Sequence, residues 1–237
     1  MKLHSVETIA IDIPLPQNFG GSTYNVLKRS TVITRLRTKD GLTSNVYNGD
    51  NRAHASEIAR LITTVIFPLI KGMSIFEYER MWEKMFTLTT AQGDRKILME
   101  AISAMDCAIW DLIGKALGKS VRELLGGYRD TLPIISIGGY YMPGKKLADF
   151  GKEVESYRKV GMAGCKFKVG GLSPAEDAKR VAVARKAAGD DFMICVDANR
   201  GWTAQDAIEF ARLIKVLNLP GFGLELDEKM VRKYRVH

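Results

Sequence analysis

Two stretches decide the fold: Gly164-Cys165-Lys166-Phe167-Lys168-Val169-Gly170 and, one helix later, Phe192-Met193-Ile194-Cys195-Val196-Asp197-Ala198-Asn199. Each is a short run rich in apolar residues and ends in residues that favour turns, the pattern of a strand. Successive strand side chains point to opposite faces, so Cys165, Phe167 and Val169 share one face and Lys166 and Lys168 the other. In the second run Ile194 and Val196 share a face, and Cys195, Asp197 and Asn199 share the opposite one. Between the runs, Ser173-Pro174-Ala175-Glu176 is a helix start, with a hydroxyl cap, a proline at the first position and a glutamate at the third. A third apolar run, at 134–137, comes earlier and is followed by an amphipathic stretch, 148–160, closed by Gly161. Thr203-Ala204-Gln205-Asp206 caps another helix, expected to reach about residue 216. Strands alternating with helices in this way predict βαβ units and a parallel sheet.

The preceding residues follow other periods. Residues 5–13 alternate as a strand that Pro14 and Pro16 are expected to stop, and 17–22 reads as a loop. A strand at 30–38 turns at Lys39-Asp40-Gly41 into an expected return strand over 42–47, so a meander is predicted. Residues 55–127 read as helical. Ser74-Ile75-Phe76-Glu77 is a capping-box pattern, and from about Arg95 the residues Leu98, Ile102, Met105, Ile109 and Leu112 form one apolar stripe at helical spacing. Met105 and Trp110 read as core.

The 237 residues are 46% apolar and 26% charged, a globular composition with ample material for a core. Net charge is +8, but the basic residues are interspersed with acids, as at Lys39-Asp40 and Glu79-Arg80, until Lys229, Arg232, Lys233 and Arg235 cluster near the end. Solvated helix faces account for this better than a nucleic-acid groove, and no nucleic-acid partner is expected. Cys107, Cys165 and Cys195 lack a disulfide or CxxC framework. The first residues lack a signal-peptide core, and the longest apolar stretch, 61–70, is too short for a bilayer. A cytoplasmic chain without a membrane partner is expected.

The chemistry concentrates on the two strands first quoted. Strands of a parallel sheet are covered by helices, so two lysines on one face call for anions nearby. Like charge and partial burial would push one lysine's pKa down, toward service as a base. An edge strand with two solvated lysines fits the same spacing. Asp197 falls at the carboxyl end of its strand, where parallel α/β folds gather catalytic groups. It suits a hard cation as one ligand of several, and it equally suits a turn cap or a partner for a lysine. His4, His54 and His237 stand apart from this cluster and read as surface residues. Gly170-Gly171 resembles a phosphate-cradling turn weakly, and no GxGxxG, Walker or nucleophile-elbow motif occurs.

The chain resembles the enolase superfamily, in its mandelate racemase and muconate-lactonizing enzyme branch. The resemblance is carried by Ala108-Ile109-Trp110-Asp111-Leu112-Ile113-Gly114-Lys115-Ala116-Leu117-Gly118, by Leu124-Leu125-Gly126-Gly127, by Lys166-Phe167-Lys168, and by Val196-Asp197-Ala198-Asn199-Arg200-Gly201-Trp202. It covers roughly residues 1–219. It implies an α/β chain in which an α+β capping domain, at 1–130, precedes a (β/α)7β TIM-like barrel, of which 131–219 would be the first part, with substrate-covering loops near 18–24 and 47–52. It also implies Mg²⁺-dependent removal of the proton α to a carboxylate, as in racemases or acid-sugar dehydratases. Lys168 would be the base, Lys166 would lie beside the substrate carboxylate and depress the pKa of Lys168, and Asp197 would be the first metal ligand. Asn199 matches as a possible accessory residue. The implied substrate is a small hydroxy acid or sugar acid, and the implied assembly a homo-oligomer.

The pattern departs from the family at the end. Family spacing puts a second metal-binding glutamate at the position of Gly223, with Glu225 offset nearby, and 220–237 reads as an aberrant tail. A full barrel takes about 200 residues or more, so the barrel is expected to be incomplete. A truncated or frameshifted chain, weak or inactive alone, is the corresponding expectation. A chain that is not catalytic and oligomerises through its capping domain is the alternative.

Overall fold

The computed structural model describes residues 1–49, 54–90 and 94–214. The chain forms two compact units. Met1–Asn18 with Val26–Leu132 makes the first, and Phe19–Asn25 with the chain from Pro133 makes the second. The excursion of Phe19–Asn25 into the second unit falls on the covering loop expected near 18–24.

The first unit opens with a three-stranded sheet of order β1-β2-β3, formed by β1 (Leu3–Gly20), β2 (Asn25–Thr38) and β3 (Val46–Asn48). β1 runs straight through Pro14 and Pro16 to Gly20, correcting the expected stop and leaving only 21–22 of the expected loop at 17–22 outside the strand. The two prolines are two residues apart, so both missing donors fall on one side. An edge strand such as β1 has one open side where no donor is required. In β2 the alternate residues Val32, Thr34, Leu36 and Thr38 are buried, as period-two burial requires. The Lys39–Gly41 turn forms, with Gly41 at φ +90° and the Thr38 amide donating to the Leu42 carbonyl at 2.9 Å. The return strand is shorter than expected: β3 pairs antiparallel with β2 over Val46–Asn48, and Thr43 makes an isolated bridge to Arg37.

Helices follow. α1 (Ala55–Leu61) passes through a π-helical turn, Ile62–Ile66, into α2 (Phe67–Ile70). Pro68 explains the wide turn, since it lacks an amide hydrogen and its ring displaces the carbonyl four residues back. α3 (Tyr78–Phe86) buries Met81 and Met85. Ser74 does not cap it directly: Glu77 precedes the helix and receives the Ser74 amide at 2.9 Å, so the box closes one turn early. α4 (Arg95–Leu117) is capped by Asp94, whose carboxylate accepts from the amides of Lys96 and Ile97, and ends at Gly118 in the left-handed region, φ +64°. Ile102, Met105, Ile109 and Leu112 form the buried stripe, and Trp110 packs against it, its ring 4.9 Å from that of Tyr78. α5 (Val121–Leu124) has a complete Ser120–Glu123 capping box.

The second unit is the predicted alternation: β4 (Ile135–Gly138), α6 (Leu147–Lys159), β5 (Gly164–Lys168), α7 (Pro174–Ala188), β6 (Met193–Asp197) and α8 (Ala204–Leu213). The three strands are parallel, in the order β4-β5-β6. Cys165, Phe167 and Val169 enter a core with Phe150, Val154, Val181 and Ala184. α7 and α8 begin with the capping boxes read from Ser173 and Thr203. This is an α+β capping unit followed by part of a β/α barrel. Gly223, Glu225 and the tail at 220–237 lie outside the described residues. No helix among the described residues is long and apolar enough to cross a membrane.

Candidate active site

β5 and β6 are in parallel register with Lys166 opposite Cys195 and Lys168 opposite Asp197. That register follows from burial of the Cys165–Phe167–Val169 face under the helices, which leaves Lys166, Lys168 and Asp197 together on the other face. The Lys168 ammonium donates to Asp197 Oδ2 at 2.9 Å and to Asn199 Oδ1 at 2.8 Å. The Lys166 ammonium reaches the same Asp197 oxygen at 3.2 Å. Asp197 Oδ1 accepts from the Asn199 amide at 2.9 Å. The structure therefore brings together the four residues singled out from sequence. Lys168 is 3% exposed, whereas the Lys166 side chain is 35% exposed.

This geometry sets the charge states. Burial works to raise the Asp197 carboxyl, but hydrogen bonds from Lys168, the Asn199 amide and Lys166 outweigh it and hold the pKa at about 2. Burial works to lower Lys168, and its bonds to Asp197 and Tyr24, with the attraction of both, leave it above the usual lysine value. The expected depression of Lys168 is thus corrected. The like charge of Lys166 is answered by a carboxylate shared between the two lysines, so Lys168 rests as an ammonium.

Sequence reading missed what holds the turn after β6. Asn199 and Arg200 are successive left-handed residues, at φ +47° and +64°, a backbone state that persists where surrounding contacts impose it. Ser22 donates to the Ala198 carbonyl and Thr23 to the Asn199 carbonyl, the latter at 3.1 Å. Tyr24, from the same segment, places its ring centroid 5.6 Å from the Lys168 ammonium. The expected covering loop at 18–24 thus supplies, through Phe19–Asn25, residues that touch this cluster. In the expected loop at 47–52, residues 50–52 lie outside the described residues. The weak phosphate-turn reading of Gly170-Gly171 is corrected too. Their amides already donate to Asp177 Oδ2 at 2.7 Å and to the Tyr141 hydroxyl at 2.8 Å.

Magnesium is implied by the resemblance, and the described residues by themselves do not fit it. Mg²⁺ asks for near-octahedral oxygen coordination. Asp197 brings one carboxylate to the cluster, with Oδ2 shared by two ammonium groups, and the Asn199 side-chain oxygen faces Lys168. Among the described residues no group of three or more His, Cys, Asp or Glu converges on a possible metal position.

An α+β unit followed by parallel β/α units, with two lysines and an aspartate at adjacent strand ends, is the layout of a capping domain joined to part of a β/α barrel. Residues 6–126 match the mandelate racemase / muconate lactonizing enzyme N-terminal domain, and residues 149–219 match the enolase C-terminal domain-like family. The chain belongs to the mandelate racemase / muconate lactonizing enzyme family of the enolase superfamily. It is 34% identical over 190 residues to an arabinonate dehydratase of Saccharolobus solfataricus, covering 79% of this chain and 50% of that protein. It is 30% identical over 240 residues to an L-Ala-D/L-Glu epimerase of Bacillus subtilis, covering 98% of this chain and 61% of that one. A solved mandelate racemase/muconate lactonizing enzyme from a marine actinobacterium, in complex with magnesium, is 40% identical with a TM-score of 0.77. The match covers 92% of this chain and 58% of that chain. The chain therefore spans between half and about 60% of the length of these relatives.

Proposed function

We propose that this chain carries the proton-transfer end of an enzyme that acts at the carbon α to a carboxylate, in racemisation or in dehydration of a hydroxy or sugar acid. The observation that carries the proposal is the buried Lys168 ammonium held between Asp197 and Asn199 at paired strand ends. Lys168 holds and moves the proton at Nζ. Lys166, more exposed on the same face, presents its ammonium to the substrate carboxylate, where fixed positive charge stabilises the enediolate formed as the proton leaves. Asp197 balances both lysines and fixes their geometry, with Asn199 as its accessory. For Lys168 to take up a proton, the charge of Asp197 has to be answered by something other than Lys168, since that attraction now keeps the ammonium protonated. We assign Asp197 as one ligand of a magnesium ion whose remaining ligands would come from outside the described residues. We propose as well that the substrate is a small hydroxy acid or sugar acid and that the chain assembles as a homo-oligomer.

The test is transfer of solvent deuterium to the α-carbon of arabinonate or of L-Ala-L-Glu in D₂O, followed by NMR with and without added MgCl₂. Exchange by the chain that disappears in Lys168→Ala supports the reading, and exchange that persists in Lys168→Ala removes Lys168 from the role. The incomplete cation ligation among the described residues favours a second reading, a chain that associates without catalysis. Sedimentation showing assembly unaffected by MgCl₂, with no deuterium transfer to either compound, supports that alternative.

A further inference from the structure

β5 ends at Lys168, and helix α7 supplies what holds that end. Asp177, fully buried, and Arg180, 3% exposed, sit three residues apart on α7 and form an ion pair. Arg180 donates to the Lys168 carbonyl at 3.2 Å and also to the Gly139 carbonyl, just past the end of β4. Its guanidinium carbon lies 4.1 Å from the ring centroid of Tyr141 and 4.3 Å from that of Phe150. Asp177 accepts from the Gly170 amide at 2.7 Å and from the Tyr141 hydroxyl at 2.8 Å, and that hydroxyl accepts from the Gly171 amide. Backbone groups of Lys168, Gly170 and Gly171 are thus each bonded to one member of a single side-chain network.

A buried ion pair is a poor device for stability alone, because well-packed apolar residues of similar volume often do as well or better. Its advantage is directional. The Lys168 side chain is long and flexible, and its ammonium meets Asp197 and Asn199 together when the backbone that carries it is fixed. We propose that Asp177 and Arg180, paired with each other and both in contact with Tyr141, are positioning residues that fix the carboxyl end of β5 and so aim the Lys168 ammonium at Asp197 and Asn199. The catalytic weight of this strut rests on the proton-transfer reading of Lys168, while its geometry does not.

A neighbouring network supplies the control. Glu153 accepts from the Gly139 amide at 3.3 Å, from Lys145 at 2.8 Å and from the Tyr157 hydroxyl at 2.8 Å, all beside the end of β4. It is a comparably rich cluster, carried by α6 beside a strand with no candidate catalytic group.

The experiment uses the full chain labelled with ¹⁵N-lysine. The Lys168 Nζ–H cross-peak, protected by burial and two acceptors, is assigned by its loss in Lys168→Arg. Tyr141→Phe and Asp177→Asn are expected to shift it or to speed its hydrogen exchange about tenfold or more. Glu153→Gln is expected to lower Tm and leave the cross-peak in place. If Asp177→Asn does not fold, Tyr141→Phe decides alone. A cross-peak unchanged in Tyr141→Phe, lost equally in Glu153→Gln, or missing from the unsubstituted chain overturns the proposal. Deuterium transfer to arabinonate is measured on the same samples. The expected cross-peak pattern without deuterium transfer refutes the proton-transfer reading and leaves the strut standing.

Discussion

Lys168 and Asp197 are register partners on adjacent parallel strands, and their charged ends meet at 2.9 Å. Pairing and chemistry therefore share one geometric origin. A slip of one residue in β5 would turn Lys168 into the core and bring Phe167 or Val169 out beside Asp197. Asp197→Asn leaves Lys168 buried without its carboxylate, at an expected cost of about 2–3 kcal/mol, since the aspartate side is partly solvated. Urea denaturation measures it. The double variant Lys168→Met with Asp197→Leu is expected to recover most of the loss, because removing both charges removes the unpaired one.

Acid is expected to loosen the same pair. The Asp197 pKa is held at about 2 in the folded chain, below its unfolded value. Its contribution is complete above about pH 4 and is lost as pH falls through about 2, amounting to roughly 2 kcal/mol. Lys168 is displaced the other way, so its contribution is complete below the ordinary lysine pKa and is lost as pH rises through its raised folded value. Urea midpoints between pH 5 and pH 2 should fall less in Asp197→Asn than in the unsubstituted chain. Equal falls would assign the acid response to other groups.

Gly170 separates backbone strain from crowding. It has φ +90°, and a β-carbon there would lie 2.7 Å from the Ala198 carbonyl oxygen and 2.9 Å from the Ala198 β-carbon. Gly144 has φ +76° with open space around it. Gly144→Ala is expected to cost about 1 kcal/mol, from conformation alone. Gly170→Ala should cost about 2 kcal/mol or more, because the clash adds to the strain. Equal losses in thermal melts would show that the turn after β6 yields.

In the first unit, Met105 is fully buried in the α4 stripe, while Leu98 on the same stripe packs at the margin of the core. Met105→Ala should cost about 3 kcal/mol, and Leu98→Ala less than half of that. Denaturant titration followed by tryptophan fluorescence distinguishes them, since Trp110 lies in this helix.

Much of this molecule was legible in sequence because its signals are local. The stripe from Ile102 to Leu112, the Ser173 and Thr203 caps, and the alternation around Phe167 each follow from period and chemistry within one element. β1 was misread because a proline's effect depends on whether its missing hydrogen faces a partner strand, and strand order is a tertiary fact. The Lys168 pKa was misread because the spacing Lys-x-Lys displays repulsion, while the answering carboxylate lies 29 residues away. Asp177 and Arg180 did leave a trace: both fall on the helical face that also carries Ala184 and Ala188, which is where charged residues are out of place. Ser22 and Thr23 left none, because hydroxyls in a polar loop look alike whether or not a carbonyl awaits them.

That last contact has a consequence for the order of events during synthesis. The hydroxyls of Ser22 and Thr23 bond to carbonyls 176 residues further along the chain. At ribosomal speeds the interval is roughly 10–35 s. As they are made, most of β1 and β2 and the helices from α1 to α5 find partners within the first unit, while Ser22 and Thr23 wait for the turn after β6. The segment that touches the candidate site is among the first to leave the ribosome and among the last to be secured.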